Sequence, residues 1–329
     1  MATPTAPPFR VAYLILSHHR PDLVETLAER VLQLSPAGSV VVHHDVSAPS
    51  LPWSGVAPAR VHFVERTRVL WGDWSIVEAS RRLLRYAVDE LDADWFVFLS
   101  GEDRPVVDLA RWEREMQMAH IDGLVPARLV DRRPSFGRAP TAGDINFVRY
   151  SYRWRALPPV AGVARRGVDL ARRVSRYTQP LFKIEYTDRR DRFFLALPRR
   201  RSLPPGWLFY TGPQWMAFGR RAAGVVLDAD ETVVEWFRQT WIPDQSFFHS
   251  VLHNRPELVL RQTPLTYVVP HATKKLRGDM ILRHDDLGSI ESSGAAFARK
   301  FDVAVDAAAL AAVDASVDAA ASHNERPTP

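Results

Sequence analysis

The sequence predicts a mixed α/β fold, a mostly parallel sheet flanked by helices. Three observations predict it. Short uninterrupted apolar runs, Val11–Leu16, Val40–Val42 and Trp95–Leu99, have the character of strands buried on both faces. Segments with helical spacing separate them. Polar residues collect where the runs end, at Ser17-His18-His19, His43-His44-Asp45 and Ser100-Gly101-Glu102-Asp103. In open α/β sheets ligands bind outside the carboxyl ends of the strands, so these ends are the expected ligand side.

Taken in order, Arg10–Ser17 is the first strand, broken by His18-His19-Arg20-Pro21. Asp22–Leu34 places Leu23, Leu27, Val31 and Leu34 at helical spacing and stops at Ser35-Pro36-Ala37-Gly38. Ser39–Asp45 and Val61–Val64 are further strands, Ser75–Leu91 a long helix, and Trp95–Ser100 a fourth strand. The stretch 125–205 is rich in Arg, Pro and Tyr; its pattern is irregular, with one helix expected near Val163–Tyr177. Beyond it, a turn and strand are expected over Phe209–Phe218, helices over Arg220–Leu227 and Glu231–Thr240, a strand within Leu258–Thr266, and an Ala/Asp-rich helix from Val303 to about Ala321.

Trp241–Asn254 has the strongest local design. Pro243 suits a first helical turn because its missing N–H costs nothing there. Asp244 would sit at the positive end of the helix dipole. Phe247, Phe248, Val251 and Leu252 then share one face. The expectation is a helix pinned to the core, presenting a carboxylate and the amide of Gln245 at its mouth.

With 329 residues, 46% hydrophobic and 10% aromatic, the chain has ample material for a core. The absence of cysteine excludes disulfides, thiolate nucleophiles and Cys-based zinc sites. The Val11–Leu16 run is too short for a signal sequence or a membrane span. A cytoplasmic protein, with or without peripheral membrane contact, is therefore expected. The net charge of +5 conceals an asymmetry. Arg128–Arg201 carries 19 Lys/Arg against 6 Asp/Glu, leaving the remainder acidic. Such a field attracts anions, whether sugar-nucleotide phosphates, lipid headgroups or nucleic acid, and it is through this basic 128–201 region that any peripheral membrane contact is expected.

Val69-Leu-Trp-Gly-Asp-Trp-Ser-Ile-Val-Glu-Ala79, Phe98-Leu-Ser-Gly-Glu-Asp-Arg-Pro105, Gly212-Pro-Gln-Trp215, Pro243-Asp-Gln-Ser-Phe-Phe-His249 and Phe297-Ala-Arg-Lys-Phe-Asp302 occur in one order. That order resembles the core-2/I-branching N-acetylglucosaminyltransferase and peptide O-xylosyltransferase family, glycosyltransferase family 14. The resemblance runs from about residue 11 to 315 and is weakest over 125–205. It implies a GT-A type fold, a nucleotide-binding sheet merged with an acceptor-binding portion. It also implies inverting, metal-independent transfer from a UDP-sugar, GlcNAc or xylose foremost, to a hydroxyl acceptor, with no cofactor. The source expected from composition and the missing anchor is bacterial.

The resemblance assigns roles residue by residue. Lys300 matches the lysine that contacts the diphosphate, and Arg277 stands at the spacing of a second diphosphate contact. Asp45 ends the strand that supplies an acidic uridine contact, and Ser17-His18 ends its neighbour. Asp103, Gly212, Gln214 and Trp215 fall on the acceptor side. In the family's helix-opening motif a glutamate is the base; here that position is Gln245, which cannot take a proton. Asp244, one residue earlier, is the expected replacement. Adjacent histidines at 18, 19, 43 and 44 point to opposite sides of their strand ends, so no metal site is expected.

The expected organisation is a flexible segment 1–9, one glycosyltransferase domain over 10–320, and a disordered tail over 321–329. Within the domain, 10–120 forms the nucleotide-binding half, 121–206 the basic variable region and 207–320 the acceptor and catalytic half. Two rival readings follow from the residues. One is a sugar-nucleotide or glycan-binding protein that has lost its base at Gln245. The other is a nucleic-acid binder using the arginines of 128–201, for which no recognisable motif speaks.

Overall fold

The computed structural model describes residues 9–51, 53, 59–130, 145–175, 177, 181–187, 191–199, 203–277 and 279–324. Segment 1–8 and the tail from 325 lie outside the described residues, as do 131–144 within the basic region.

The N-terminal part builds the sheet as the apolar runs predict. β1 (Val11–Ser17) leads to α1 (Pro21–Leu34), β2 (Ser39–His44), β3 (Val61–Phe63), α2 (Trp74–Asp89) and β4 (Trp95–Ser100). β1 pairs in parallel with both β2 and β4, and β2 in parallel with β3. Alternate side chains of β1 feed two cores. Ala12 and Leu14 pack with Val77, Leu83 and Leu84 of α2, while Val11, Tyr13 and Ile15 pack with Val24, Leu27 and Val31 of α1. Both faces are thus dry, which is why β1 shows no polar alternation. α2 starts cleanly because the Asp73 side chain accepts a hydrogen bond from Ser75 N, relieving one donor that the first turn leaves without a partner.

β5 (Arg104–Pro105), α3 (Leu109–Met118) and β6 (Gly123–Leu124) follow, then β7 (Arg128–Leu129). Among its described residues the basic region is more regular than its irregular sequence pattern suggested. α4 (Ile145–Ser151), β8 (Tyr152–Ala156), α5 (Gly162–Ser175), β9 (Lys183–Thr187) and β10 (Arg192–Pro198) form a helix-flanked three-stranded antiparallel sheet of order β8-β10-β9. Tyr152, Trp154, Phe194 and Ala196 turn inward from it and meet Trp241 and Ile242.

The C-terminal part supplies β11 (Tyr210–Thr211), β12 (Ala217–Gly219), α6 (Arg220–Leu227), α7 (Glu231–Arg238) and α8 (Phe247–His253). Then come β13 (Leu260–Arg261), β14 (Thr266–Val268), α9 (His271–Arg277), α10 (Leu287–Ser292), β15 (Phe297–Arg299) and α11 (Val303–Asn324). The central sheet has the order β13-β6-β12-β4-β1-β2-β3, with β12 antiparallel between β6 and β4. It is a mixed α/β fold around a mostly parallel sheet.

Three expectations are corrected. The strand expected within Leu258–Thr266 is two strands in different sheets: β13 joins β6, and β14 pairs in parallel with β15. The last helix runs to Asn324 instead of stopping at Ala321, with a break at Asp306. The helix expected from Pro243 is split. Pro243–Gln245 is a separate 3₁₀ turn, and α8 begins only at Phe247, because Ser246 (φ −139°) leaves the helical region. Asp244 therefore gains little from a helix dipole. Among the described residues, no helix is long and apolar enough to cross a membrane.

Candidate functional site

The carboxyl ends of β1, β2 and β4 converge as expected. Ser17 Oγ lies 2.7 Å from His44 Nδ1, and Asp45 N donates to Ser17 O at 2.9 Å. Asp45 closes its own loop: Oδ1 accepts from Ser47 N at 2.6 Å and Oδ2 from Val69 N at 2.5 Å. The same carboxylate thus ties the β2 end to the segment leading into α2. The two histidines of β2 face different partners, His43 Nε2 meeting Thr67 Oγ1 at 2.9 Å while His44 Nε2 meets Pro49 O at 2.8 Å. Among the described residues no group of three or more His, Cys, Asp or Glu side chains is arranged to hold a metal ion.

At the end of β4, Glu102 is the centre of a cation cluster. Its carboxylate lies 2.6 Å from Lys300 Nζ, 3.3 Å from Arg299 Nη2 and 3.3 Å from His19 Nε2. Burial pushes the Glu102 carboxyl up, but Lys300, then His19 and Arg299, outweigh it and hold it below its ordinary value. A single carboxylate, that of Glu102, thus meets the side chains of Lys300, Arg299 and His19. His18 stands on the same rim, its ring 4.2 Å from that of His19. Partial desolvation and then His19 lower its pKa, against the opposing pull of Glu102 and Asp45. His18 is thus in electrostatic reach of Asp45, Glu102 and Lys300 together. Beside the cluster, buried Asp103 accepts from Ser100 N and Ser100 Oγ, both at 2.6 Å. Burial raises its pKa, with Arg299 the first opposing influence.

β15 delivers the cations. It pairs with β5, the strand just after Glu102, so distant segments of the chain meet through a short antiparallel ladder. Arg299 also lies over the Trp215 ring, 4.9 Å from its centroid, which brings the Gly212–Trp215 motif to the same place. Arg277 is elsewhere engaged: its Nη1 donates to Asp286 Oδ2 at 2.6 Å, and that hydrogen bond raises its pKa.

The Pro243–Gln245 turn is braced from two sides. Ile242 N donates to Gly72 O at 3.0 Å, joining the turn to the Trp71-Gly-Asp-Trp74 motif. Gly72 has φ +70°, a conformation open to glycine at little cost. From the other side, Gly212 N donates to Gln245 O at 3.0 Å. Asp244 is buried in this turn, and Gln245 is half-buried beside it. Gln214 is likewise half-buried, between Gly212 and Trp215. All five sequence motifs are therefore linked by contacts.

Gly212 is required sterically. A Cβ there would lie 2.2 Å from Pro126 O and 2.5 Å from His249 Nε2. Gly212→Ala is expected to destabilise the protein by about 1–3 kcal/mol, read as a lower urea midpoint; an unchanged midpoint would refute this packing role.

His249, fully buried under Gly212, has no ring nitrogen with a well-formed hydrogen bond, although the Pro213 backbone lies alongside. Burial first, then His253, lowers its pKa to about 3. Between that value and the ordinary histidine value the unfolded chain binds a proton that the folded chain refuses. Stability is thus complete above the ordinary value and falls as pH drops below it, by at most about 1.4 kcal/mol per pH unit. Thermal melts should show this acid slope, and His249→Gln should flatten it; equal slopes in both proteins would disprove the assignment.

Sequence reasoning singled out Lys300, Asp45, Ser17 and His18 but not Glu102, Arg299 or His19 as site residues. The signal was available in part, since Glu102 stands beside Asp103 and Arg299 beside Lys300. Their mutual contact is a tertiary fact.

Residues 11–122 match the family model described as Core-2/I-Branching enzyme. This segment carries β1, β2 and β4 with their polar ends, and the matched family is one of glycosyltransferases. No curated protein matches the chain significantly. Among solved structures the chain is similar to one described as a glucose-1-phosphate thymidylyltransferase from Bacillus anthracis in complex with a sucrose. That likeness has 11% identity and a TM-score of 0.36, covering 76% of this chain and 86% of that one. It is also similar to a mannose-1-phosphate geranyltransferase from Thermus thermophilus, at 14% identity and a TM-score of 0.28, covering 76% of this chain and 73% of that one. At such scores neither likeness bears on the reaction.

Proposed function

We propose that the protein is an inverting, metal-independent glycosyltransferase. It moves a sugar, GlcNAc or xylose foremost, from a UDP-sugar to a hydroxyl acceptor and forms a β-glycoside. The observation that carries this reading is the convergence of Lys300, Arg299 and His19 on Glu102 at the carboxyl ends of β1 and β4.

Glycosyl transfer passes through an oxocarbenium-like transition state, with a proton leaving the acceptor hydroxyl and negative charge growing on the leaving group. Lys300 and Arg299 are preorganised cations placed to receive that charge, the diphosphate taking the place that Glu102 holds among them. Asp45, Ser17 and His18 line the uridine side. Arg277 adds a diphosphate contact on exchanging Asp286 for phosphate. Asp244 takes the acceptor proton as the hydroxyl oxygen bonds to the anomeric carbon and the bond to UDP breaks. Gln245, Gly212, Gln214, Trp215 and Asp103 shape the acceptor side.

One observation favours a second reading. The amide of Gln245 at the family's base position fits a sugar-nucleotide-binding protein with weak or no turnover. A thermal-shift series with UDP-GlcNAc, UDP-xylose and UDP-glucuronate, with and without EDTA, tests donor binding common to both. Stabilisation by a UDP-sugar, unaltered by chelation, is expected; stabilisation only with added Mn²⁺ would contradict the metal-independent site.

A further inference from the structure

The helix α5 turns an apolar stripe outward. Its inner face is anchored to the small sheet. Arg165 donates to Asp191 Oδ1 and to the Tyr186 hydroxyl, both at 3.0 Å, and Ser175 Oγ accepts from Ile184 N at 2.9 Å. Its outer face repeats at i, i+7, i+11 and continues past the helix end. Val163 is 84% exposed, Leu170 63%, Val174 49% and Tyr177 59%, with Leu181 beyond them at 65%. Single exposed apolar residues are ordinary, but an aligned stripe of this kind marks an interaction surface.

Two further residues on that outer face decide the partner. Arg166 and Arg173 stand at i+3 and i+10 from Val163, exposed and without an ion pair among the described residues. The inner arginines, by contrast, are engaged: Arg165 with Asp191 and Arg172 with Asp169. The apolar stripe is therefore flanked by cations, within a region that carries 19 basic against 6 acidic residues. An anionic bilayer interface supplies both an apolar layer and a sheet of negative charge, at the depth that an in-plane helix reaches.

We propose that α5 lies in the interface of an anionic membrane, with Val163, Leu170, Val174 and Tyr177 entering the headgroup–acyl boundary and Arg166 and Arg173 on anionic headgroups. The attachment is peripheral, and it stands apart from donor binding and turnover.

Co-sedimentation of the full chain with vesicles tests it. Vesicles of phosphatidylcholine containing about 30% phosphatidylglycerol should bind the protein roughly tenfold or more tightly than pure phosphatidylcholine, at about 0.1 M salt. Arg166→Gln and Arg173→Gln should each weaken binding by about fivefold, and Leu170→Gln with Val174→Gln should weaken it by about tenfold or more. These positions are exposed, so the variants should retain the thermal midpoint of the parent. Absence of binding to the anionic vesicles, equal binding to neutral ones, or full binding by the stripe variants would overturn the proposal. So would a concentration-dependent dimer that the Leu170→Gln and Val174→Gln pair dissociates, since the stripe would then meet a second copy. Sedimentation reads none of the transfer chemistry, so failure here and failure of the glycosyltransferase reading are separately visible.

Discussion

Asp244→Asn is expected to lower turnover by about 10²–10⁴-fold, the range a positioned general base contributes, with UDP affinity retained. The reason lies in the turn that holds it. Asp244 is buried in Pro243–Gln245, which is fixed to Gly72 on one side and to Gly212 on the other. A base held this rigidly loses little further freedom when the acceptor arrives. Asparagine keeps the shape, so the turn and the donor side should survive while the proton acceptor is lost. Gln245→Glu is the instructive partner, since it puts a carboxylate at the neighbouring position of the same turn. Steady-state rates with saturating donor, together with UDP titration calorimetry, check the pair. Unchanged turnover in Asp244→Asn would remove Asp244 from the mechanism.

Lys300→Ala is expected to cost about 10²–10³-fold in kcat and to weaken UDP binding as well, because a cation at the diphosphate acts in both the bound and the transition state. The remaining cations soften the loss in binding more than in rate. Glu102 keeps Arg299 and His19 as partners when Lys300 is removed, so the local fold should persist. A KM that rises while kcat stays constant would make Lys300 an anchor for the donor rather than a stabiliser of the leaving group.

What was legible in the sequence follows from range of interaction. β1, β2, β4 and α2 could be read because each buries a face long enough to impose its own period. The strands β6, β12 and β13 are two or three residues long and exist through their neighbours in the sheet, so no local pattern announces them. β8 is the opposite case. Its Tyr152-Arg-Trp-Arg155 does alternate, but Arg149, Arg153 and Arg155 together read as solvent-facing chain before they read as the outer face of a strand. The split at Ser246 was hidden because Pro243 and Asp244 suit a 3₁₀ turn as well as an α-helical one.

The site shows the same division. The strand-end clusters and the ordered motifs bring Asp45, Ser17, His18, Asp244 and Lys300 forward as candidates without any structure. The pairing of Lys300 with Glu102 joins residues that only the β5–β15 ladder brings together. No spacing in the chain encodes it.

The most direct measurement is release of UDP from UDP-GlcNAc and UDP-xylose in the presence of hydroxyl acceptors and EDTA, by the full chain and by Lys300→Ala. Chelator-resistant release by the parent, lost by about 10²-fold or more in the variant, is the expected result. Release that requires Mn²⁺, or that Lys300→Ala leaves unchanged, would contradict a glycosyltransferase whose leaving group rests on the cations around Glu102.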